Sequence, residues 1–461
     1  MPIVAGVDSS TQSVKVVLRD ADSGELVAST SRPHPDGSEV NPQHWWKALS
    51  EALDELSSHK ISAISIAGQQ HGMIALDKDG AVIRDALLWN DTRSDKAAED
   101  LNREIPDIAL RTGSQLVASF TASKVRWLAD NEKANANRVA AIALPHDWLS
   151  WKLSGAKSIE TLFTDRSDAS GTGYFDSRKN EYCLDILATA IRTNQEIILP
   201  KIIAPNQFGA TSTNSIPIAA GAGDNAGAAL GLGASLGDLV ISLGTSGTAF
   251  AISKGSTHDS SGEVAGFADA TGNFLPLACT LNAAKIFNTV AKSLSLSFEE
   301  FSSLALSAKV GAEGLRIIPH FDGERTPNKP SAKGSFHGIT HSNFTKENMA
   351  RASIEGVIAG MIYAAKAVER QGVSYSRILL IGGAAKNSAV QQISADLFGR
   401  TIHIPPIGEY VADGAAKQAA WALSGKDEVP SWSLGEVKEI SPKARIDGVI
   451  DSYFELISLS R

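Results

Sequence analysis

The 461-residue sequence predicts an α/β protein made of two related halves around a cleft. Two observations carry that prediction. Short strand-type apolar runs are interleaved with segments of helical periodicity, the pattern of mixed sheets flanked by helices. A strand, a small-residue turn containing Thr and a second strand occur at Val4-Ala-Gly-Val-Asp-Ser-Ser-Thr-Gln-Ser-Val14. The same arrangement returns at Leu239-Val-Ile-Ser-Leu-Gly-Thr-Ser-Gly-Thr-Ala249. Two such halves would set their turns facing each other. The boundary falls near residue 236, giving residues 1–236 and 237–461.

Ile3 to Val7, Val14 to Leu18 and Glu25 to Thr30 read as strands, the last two joined by Asp22-Ser23-Gly24. Asn41-Pro42 announces a helix, with Asn as N-cap and Pro as its first residue. Trp45, Trp46, Leu49, Leu53 and Leu56 give that helix one apolar face. Ile61 to Ala67 is a strand ending at Gly68. Met73 to Leu76 and Ala86 to Trp89, around Lys78-Asp79-Gly80, predict a further hairpin.

In the second half, strands are expected at Leu239–Leu243, Thr248–Ile252, Val264–Phe267, Phe274–Cys279 and Ile378–Ile381. Helices are expected at about Thr345–Gln371, Ser388–Phe398 and Ala412–Leu423.

Composition narrows the function. Asp and Glu number 51 against 43 Lys and Arg, a net charge of −8, which disfavours nucleic acid as a partner. An anionic small molecule held by backbone amides or a metal stays open. Two cysteines, Cys183 and Cys279, are too few for a disulfide framework. Asp224, Asn225 and Asp238 interrupt the longest small-apolar stretch, which argues against a membrane span. With no leader-like start, the chain reads as cytoplasmic.

Four turns hold residues able to do chemistry. Asp8-Ser9-Ser10-Thr11-Gln12-Ser13 is either an ordinary polar hairpin turn or a nest for phosphate oxygens, with Asp8 placed to hold a divalent cation through water. Gly244-Thr245-Ser246-Gly247 offers the same choice, glycine permitting close backbone approach. In Gly221-Ala-Gly-Asp-Asn225, Asp224 is the N-cap of a helix over 225–232, a base that takes a proton from a substrate hydroxyl, or both. Gly382-Gly383-Ala384-Ala385-Lys386-Asn387 is packing punctuation or a nucleotide turn, and it is not a Walker A loop. Gln69-Gln70-His71-Gly72 and Trp89-Asn-Asp-Thr-Arg93 add polar groups and an aromatic wall suited to a polyhydroxylated ligand. His337 and His341 lack the glutamate of a zinc helix motif, so no metal site is expected there.

Taken together, these residues resemble the FGGY carbohydrate kinases, which share the ribonuclease H-like fold of actin, sugar kinases and heat-shock ATPases. Two long signatures carry the likeness: Ser119-Phe-Thr-Ala-Ser-Lys-Val-Arg-Trp-Leu-Ala-Asp-Asn131, and Gly334-Ser-Phe-His-Gly-Ile339 followed by Asn348-Met-Ala-Arg-Ala-Ser-Ile-Glu355. Gly68-Gln-Gln-His-Gly72, Leu88-Trp-Asn-Asp91, Leu144-Pro-His-Asp-Trp148, Thr164-Asp-Arg-Ser-Asp-Ala-Ser-Gly171, Gly223-Asp-Asn225 and Glu409-Tyr-Val-Ala412 look most like the xylulokinase branch.

The resemblance implies two ribonuclease H-like domains and a kinase using ATP and Mg2+. Asp224 would be the general base, with His71, Gln70, Asn225 and Trp89 on the sugar side. Ser10, Thr11, Gln12, Gly244 and Thr245 would receive phosphate, Gly383, Ala384 and Asn387 would meet adenosine, and Asp8 would hold magnesium through water. It implies D-xylulose as substrate and D-xylulose 5-phosphate as product; related kinases are often dimers, which leaves a homodimer open, although the sequence shows no interface patch. The rivals are another ketose, a polyol or an aldonate as substrate, and an actin-like, nucleotide-switched binding protein. Two departures stand out. Ser10 replaces a usual glycine, which predicts an ordinary backbone conformation and an added hydroxyl facing the phosphate. Gln70 replaces a methionine common in the branch.

Overall fold

In the computed structural model, which describes residues 1–193, 195–444 and 448–459, two mixed sheets enclose a pair of crossing helices. The first sheet is built from β1 (Ile3–Ser9), β2 (Ser13–Asp20), β3 (Leu26–Pro33), β4 (Ile61–Gly68), β5 (Phe208–Thr211), β6 (Pro217–Ala219) and β7 (Ala222–Gly223). Its order is β5-β6-β4-β1-β2-β3, with β7 also on β4. β1 runs antiparallel to β2 and parallel to β4, with Asp8 opposite Ala67.

The strand period of two explains why β1 is buried on both faces. Ala5 and Val7 join a core with Trp45 and Leu49 of helix α1 (Gln43–Glu55) and with Trp148. Val7 and Leu49 each contribute about 1.5–3 kcal/mol on full burial. Val4 points the other way, onto Ala412, Ala416 and Ala419.

The second sheet repeats the plan. α2 (Asp224–Leu232) leads into β8 (Asp238–Leu243) and β9 (Gly247–Ala251), followed by β10 (Ala265–Ala268) and β11 (Phe274–Thr280). α3 (Lys346–Arg370) precedes β12 (Arg377–Ile381). α4 (Ser388–Phe398), β13 (Ile402–Ile404), α5 (Tyr410–Ser424) and β14 (Lys438–Ile440) complete the half. The strand order is β10-β11-β9-β8-β12-β13-β14. β8 is antiparallel to β9 and parallel to β12, matching β1 between β2 and β4. Leu239, Ile241 and Leu243 pack on the side of α3, whereas Val240 faces Ala226 and Ala229 of α2.

Two expectations change. Met73–Leu76 and Ala86–Trp89 do not form a hairpin with each other. Ile74–Leu76 pairs with Ala141–Ala143 and Ala86–Leu87 with Glu39–Val40, leaving only a bridge between Met73 and Leu87. Two longer-range pairings outcompete the local turn because each places an apolar strand in the α1 core. Helix α1 starts one residue late, with Pro42 at the cap position, although the Asn41 carboxamide still accepts from Gln43 N at 3.0 Å.

α5 belongs to the second half of the chain but covers the back of the first sheet. Its small residues let it approach closely. A Cβ on Gly6 would lie 2.0 Å from Ala412 O, and one on Gly414 only 1.9 Å from Gly227 O of α2. Both obstacles are helix backbone and cannot swing aside. Gly414→Ala is therefore expected to destabilise the fold by about 1–3 kcal/mol, the usual cost of overpacking. A urea midpoint equal to that of the unmodified protein would show that the helices separate freely.

Candidate active site

The cleft between the sheets holds two cavities that share Asp224, Asn225 and Ser242. The larger, about 750 Å3, runs past Asp8, Lys15, Gly382 and Gly383 to Tyr410. It falls within the usual range for a ligand pocket, about 300–1,000 Å3. The smaller, about 230 Å3, is walled by Gln70, His71, Trp89, Gly244, Phe267 and Arg325. A long ligand and a small one can therefore meet at Asp224.

Asp224 is the first residue of α2, and Gly223 is the N-cap. Asp224 is thus not itself the N-cap residue, although its carboxylate still holds the first turn of α2 through Asn225 N. Asn225 holds Oδ1 from both its backbone N at 2.7 Å and Nδ2 at 2.8 Å, leaving Oδ2 toward the cleft. The carboxyl keeps some solvent contact but sits deep among cleft atoms. Burial raises it to about 6, and the bonds from Asn225 act against that rise. The positive end of α2 favours the anion in the same direction.

His71 has φ of 70°, an unusual angle for a non-glycine residue. Its backbone carbonyl accepts from Thr121 Oγ1 at 3.1 Å, and its ring packs on Phe120 and Phe267. Burial pushes the imidazole down to about 3, so it is neutral. Nδ1 then carries the proton and donates to Gly171 O at 2.6 Å, which leaves Nε2 as an acceptor. Gln70 donates Nε2 to Ser167 O at 2.8 Å, so its remaining amide oxygen is what a ligand could use.

The first turn is wired to the wall of the smaller cavity. Trp89 Nε1 donates to Thr11 Oγ1 at 2.8 Å, and Thr11 donates onward to Gln69 at 3.1 Å. The Thr11 hydroxyl is thereby engaged. Ser10 has an ordinary backbone conformation, as expected from its side chain. Its hydroxyl does not face outward: it donates to Ser13 O at 2.9 Å and closes the turn. Gln12 is exposed, and its carbonyl accepts from His34 N at 2.8 Å.

Asp8, at the end of β1, is buried, and its Oδ1 has no hydrogen-bond partner. Burial foremost, with Asp224 and Glu409 nearby, raises its carboxyl to about 7 despite the opposing pull of Lys15. An orphaned carboxylate oxygen beside two polar turns fits a divalent cation.

In the second turn, a Cβ on Gly244 would meet only Ser246 O, at 3.5 Å, so its cleft face is open to a ligand. Thr245 is exposed and does not line the smaller cavity, whereas Ser246 does. The Gly-Gly turn divides its labour. Gly382 has φ of 91° and would drive a Cβ to 2.6 Å from Leu243 O, so it is a packing glycine. Gly383 has open space at that position and borders the larger cavity. Ala384 is buried, and Asn387 Oδ1 caps α4 at Ala389 N (2.8 Å) and Val390 N (3.2 Å). Neither lines that cavity, whereas Ala385 and Lys386 do.

Sequence reasoning overlooked Arg325, Cys279 and Phe267, which line the smaller cavity from the second half. No spacing links them to a known turn. The Gly-Glu-Arg-Thr-Pro run at 323–327 was the available signal for Arg325.

It also left His146 without a role. This buried imidazole joins two of the quoted segments. Nδ1 lies 3.2 Å from Asp147, and Nε2 lies 3.3 Å from Asp165 and 3.4 Å from Asp168. Burial alone would lower it, but Asp168, Asp147 and Asp165 prevail and raise it to about 10. Burial raises the carboxyls of Asp147 and Asp168 as well, so His146 and its aspartates hold protons as one cluster, within about 3 Å of where a Gly221 side chain would stand.

The N-terminal domain model of the FGGY family of carbohydrate kinases matches residues 3–231, and the C-terminal domain model matches residues 239–423. A xylulose kinase of Streptomyces coelicolor is 41% identical over 444 residues, covering 92% of this chain and 89% of that protein. The crystal structure of a xylulose kinase from Bifidobacterium adolescentis is 41% identical, with a TM-score of 0.92 and 99% coverage of each chain. A gluconate kinase from Lactobacillus acidophilus, 24% identical, has a TM-score of 0.88 over 99% of this chain and 96% of that one. That likeness is one of fold alone.

Proposed function

Since the chain belongs to the FGGY family of carbohydrate kinases, we propose that it transfers the terminal phosphoryl group of ATP to O5 of D-xylulose, giving D-xylulose 5-phosphate and ADP. The observation that carries this reading is Asp224, set at the junction of a small polar-aromatic cavity and a long glycine-bordered one. The Streptomyces coelicolor and Bifidobacterium adolescentis relatives at 41% identity are both xylulose kinases, which favours this sugar.

With sugar in the smaller cavity, Asp224 Oδ2 takes the proton of the O5 hydroxyl as O5 forms its bond to phosphorus. The bond from phosphorus to the bridging oxygen of ADP breaks. Asn225 fixes Oδ1, so the carboxylate presents one acceptor in one direction. Neutral His71 accepts a sugar hydroxyl at Nε2, while Gln70 Oε1 and Trp89 complete the wall. Gly383 borders the nucleotide, and the turns at 8–13 and 244–247 face its phosphates. Asp8 would hold magnesium, which when bound neutralises phosphate charge.

A panel of ketoses, polyols and gluconate in a coupled ADP-release assay tests the substrate. D-Xylulose is expected to give the highest kcat/KM. A better substrate among the others, or ATP hydrolysis indifferent to every sugar, would overturn the assignment. A carboxyl raised to about 6 carries a proton below that pH and cannot act as a base. The acid limb of kcat/KM is therefore expected to rise through about pH 6, and a profile flat from pH 5 to 7 would contradict it.

A further inference from the structure

Arg325 belongs to the second half of the chain, yet it borders the sugar-side cavity opposite Gln70 and His71. It is the only cation lining that cavity among the described residues. The loop that carries it is tightly held. Buried Glu324 accepts at Oε1 from Leu281 N (2.6 Å) and Arg325 N (2.8 Å), and at Oε2 from Asn282 Nδ2 (3.0 Å). Asn282 Nδ2 also donates to Gly323 O at 2.7 Å. Thr326 Oγ1 donates to Glu263 O at 3.0 Å. The loop is thereby stapled to the end of β11, beside the turn at 244–247.

The guanidinium itself has been given no protein partner. Among the described residues no carboxylate lies within ion-pair distance of it, and it donates no hydrogen bond. Its charge adds to the burial that lowers the His71 imidazole and acts against the burial that raises the Cys279 thiol. A protein with a net charge of −8 has carboxylates to spare. A half-buried arginine left unpaired inside a cleft is free to take an anion from elsewhere. The planar fork of donors matches phosphate oxygens two at a time, which a lysine does not. It shares the smaller cavity with Asp224, Gly244 and Ser246, the cavity in which a phosphoryl group would reach the sugar.

We propose that Arg325 is a further catalytic residue, whose guanidinium takes the oxygens of the transferring phosphoryl group and of the sugar phosphate formed. The proposal rests on the kinase reading above. It makes the second half of the chain a contributor to the sugar-side cavity. The alternative, a hydrogen bond to a sugar hydroxyl, predicts uniform binding lost from ground and transition states alike.

The test uses the full chain with Arg325→Gln and Arg325→Lys. Losing one preorganised charge donor is expected to lower kcat by about 10²–10³-fold in Arg325→Gln, less in Arg325→Lys. The KM for sugar should stay within about threefold. Because the side chain makes no internal bond, the thermal midpoints of both variants should match that of the unmodified protein. A second arm needs no sugar: with ADP present, inorganic phosphate should raise the thermal midpoint of the unmodified protein and not that of Arg325→Gln. Unchanged kcat, or a rise in sugar KM with kcat intact, would overturn the proposal, as would equal phosphate stabilisation in both proteins. If the unmodified protein fails to turn over D-xylulose, the substrate assignment falls, and the phosphate arm still decides the role of Arg325.

Discussion

Asp224→Asn lowers kcat by about 10²–10⁴-fold, the contribution of a positioned general base, while sugar and ATP still bind. The amide keeps the size and the bond to Asn225 but cannot take a proton. The same change is expected to stabilise the fold at neutral pH. Burial raises the carboxyl from 3.8 to about 6, so the folded chain holds this proton more tightly than the unfolded one. The cost of keeping the charge appears as pH rises through that interval and is complete at neutral pH. Removing the charge should raise the thermal midpoint at pH 7.5, with the gain fading below about pH 4 as the native carboxyl protonates. Turnover near that of the unmodified protein would place the base elsewhere. A lowered midpoint at neutral pH would contradict the electrostatic argument.

The second large effect falls on stability. His146→Leu leaves Asp147, Asp165 and Asp168 buried around an apolar side chain. Breaking a buried ion pair from one side costs about 3–5 kcal/mol because the charge left behind has lost its counter-ion. The imidazole is raised from 6.5 to about 10, so its contribution is whole below the lower value and is lost as pH climbs toward the higher one. Denaturant unfolding at pH 7.5 should show the deficit, which should grow as the pH falls toward 6.5 and shrink as it climbs toward 10. A midpoint unchanged at pH 7.5 would mean that the cluster carries no net ion pair.

Much of the fold was legible because its cues are local. The turn flanked by β1 and β2, the Gly at the end of β4 and the Thr345 cap that opens α3 all follow from short-range pattern. The pairings of Ile74–Leu76 and Ala86–Leu87 were not legible, because their partners are remote and a plausible hairpin turn lay between them.

The site divides in the same way. Asp224, His71 and Gly383 stand in contiguous motifs and reach the cleft. The two long signatures, which carry the resemblance, supply support instead. Thr121 holds His71, and Arg351 pairs with Glu355 at 2.7 Å inside α3. Arg325 was hidden because its neighbours Asp224 and His71 are distant in sequence, and no periodicity announces an orientation set by Glu324.

The crossing of α5 behind the first sheet bears on how the chain folds as it is made. Val4 and Val17 of the earliest strands find their cover on Ala412, Ala416 and Ala419. A nascent chain that has completed both small-residue turns still lacks that layer. Contacts of such long sequence separation form late, after most of the closure entropy has been met. β1 is thus among the last strands to be enclosed, and the first sheet is fully covered only once α5 has docked on it.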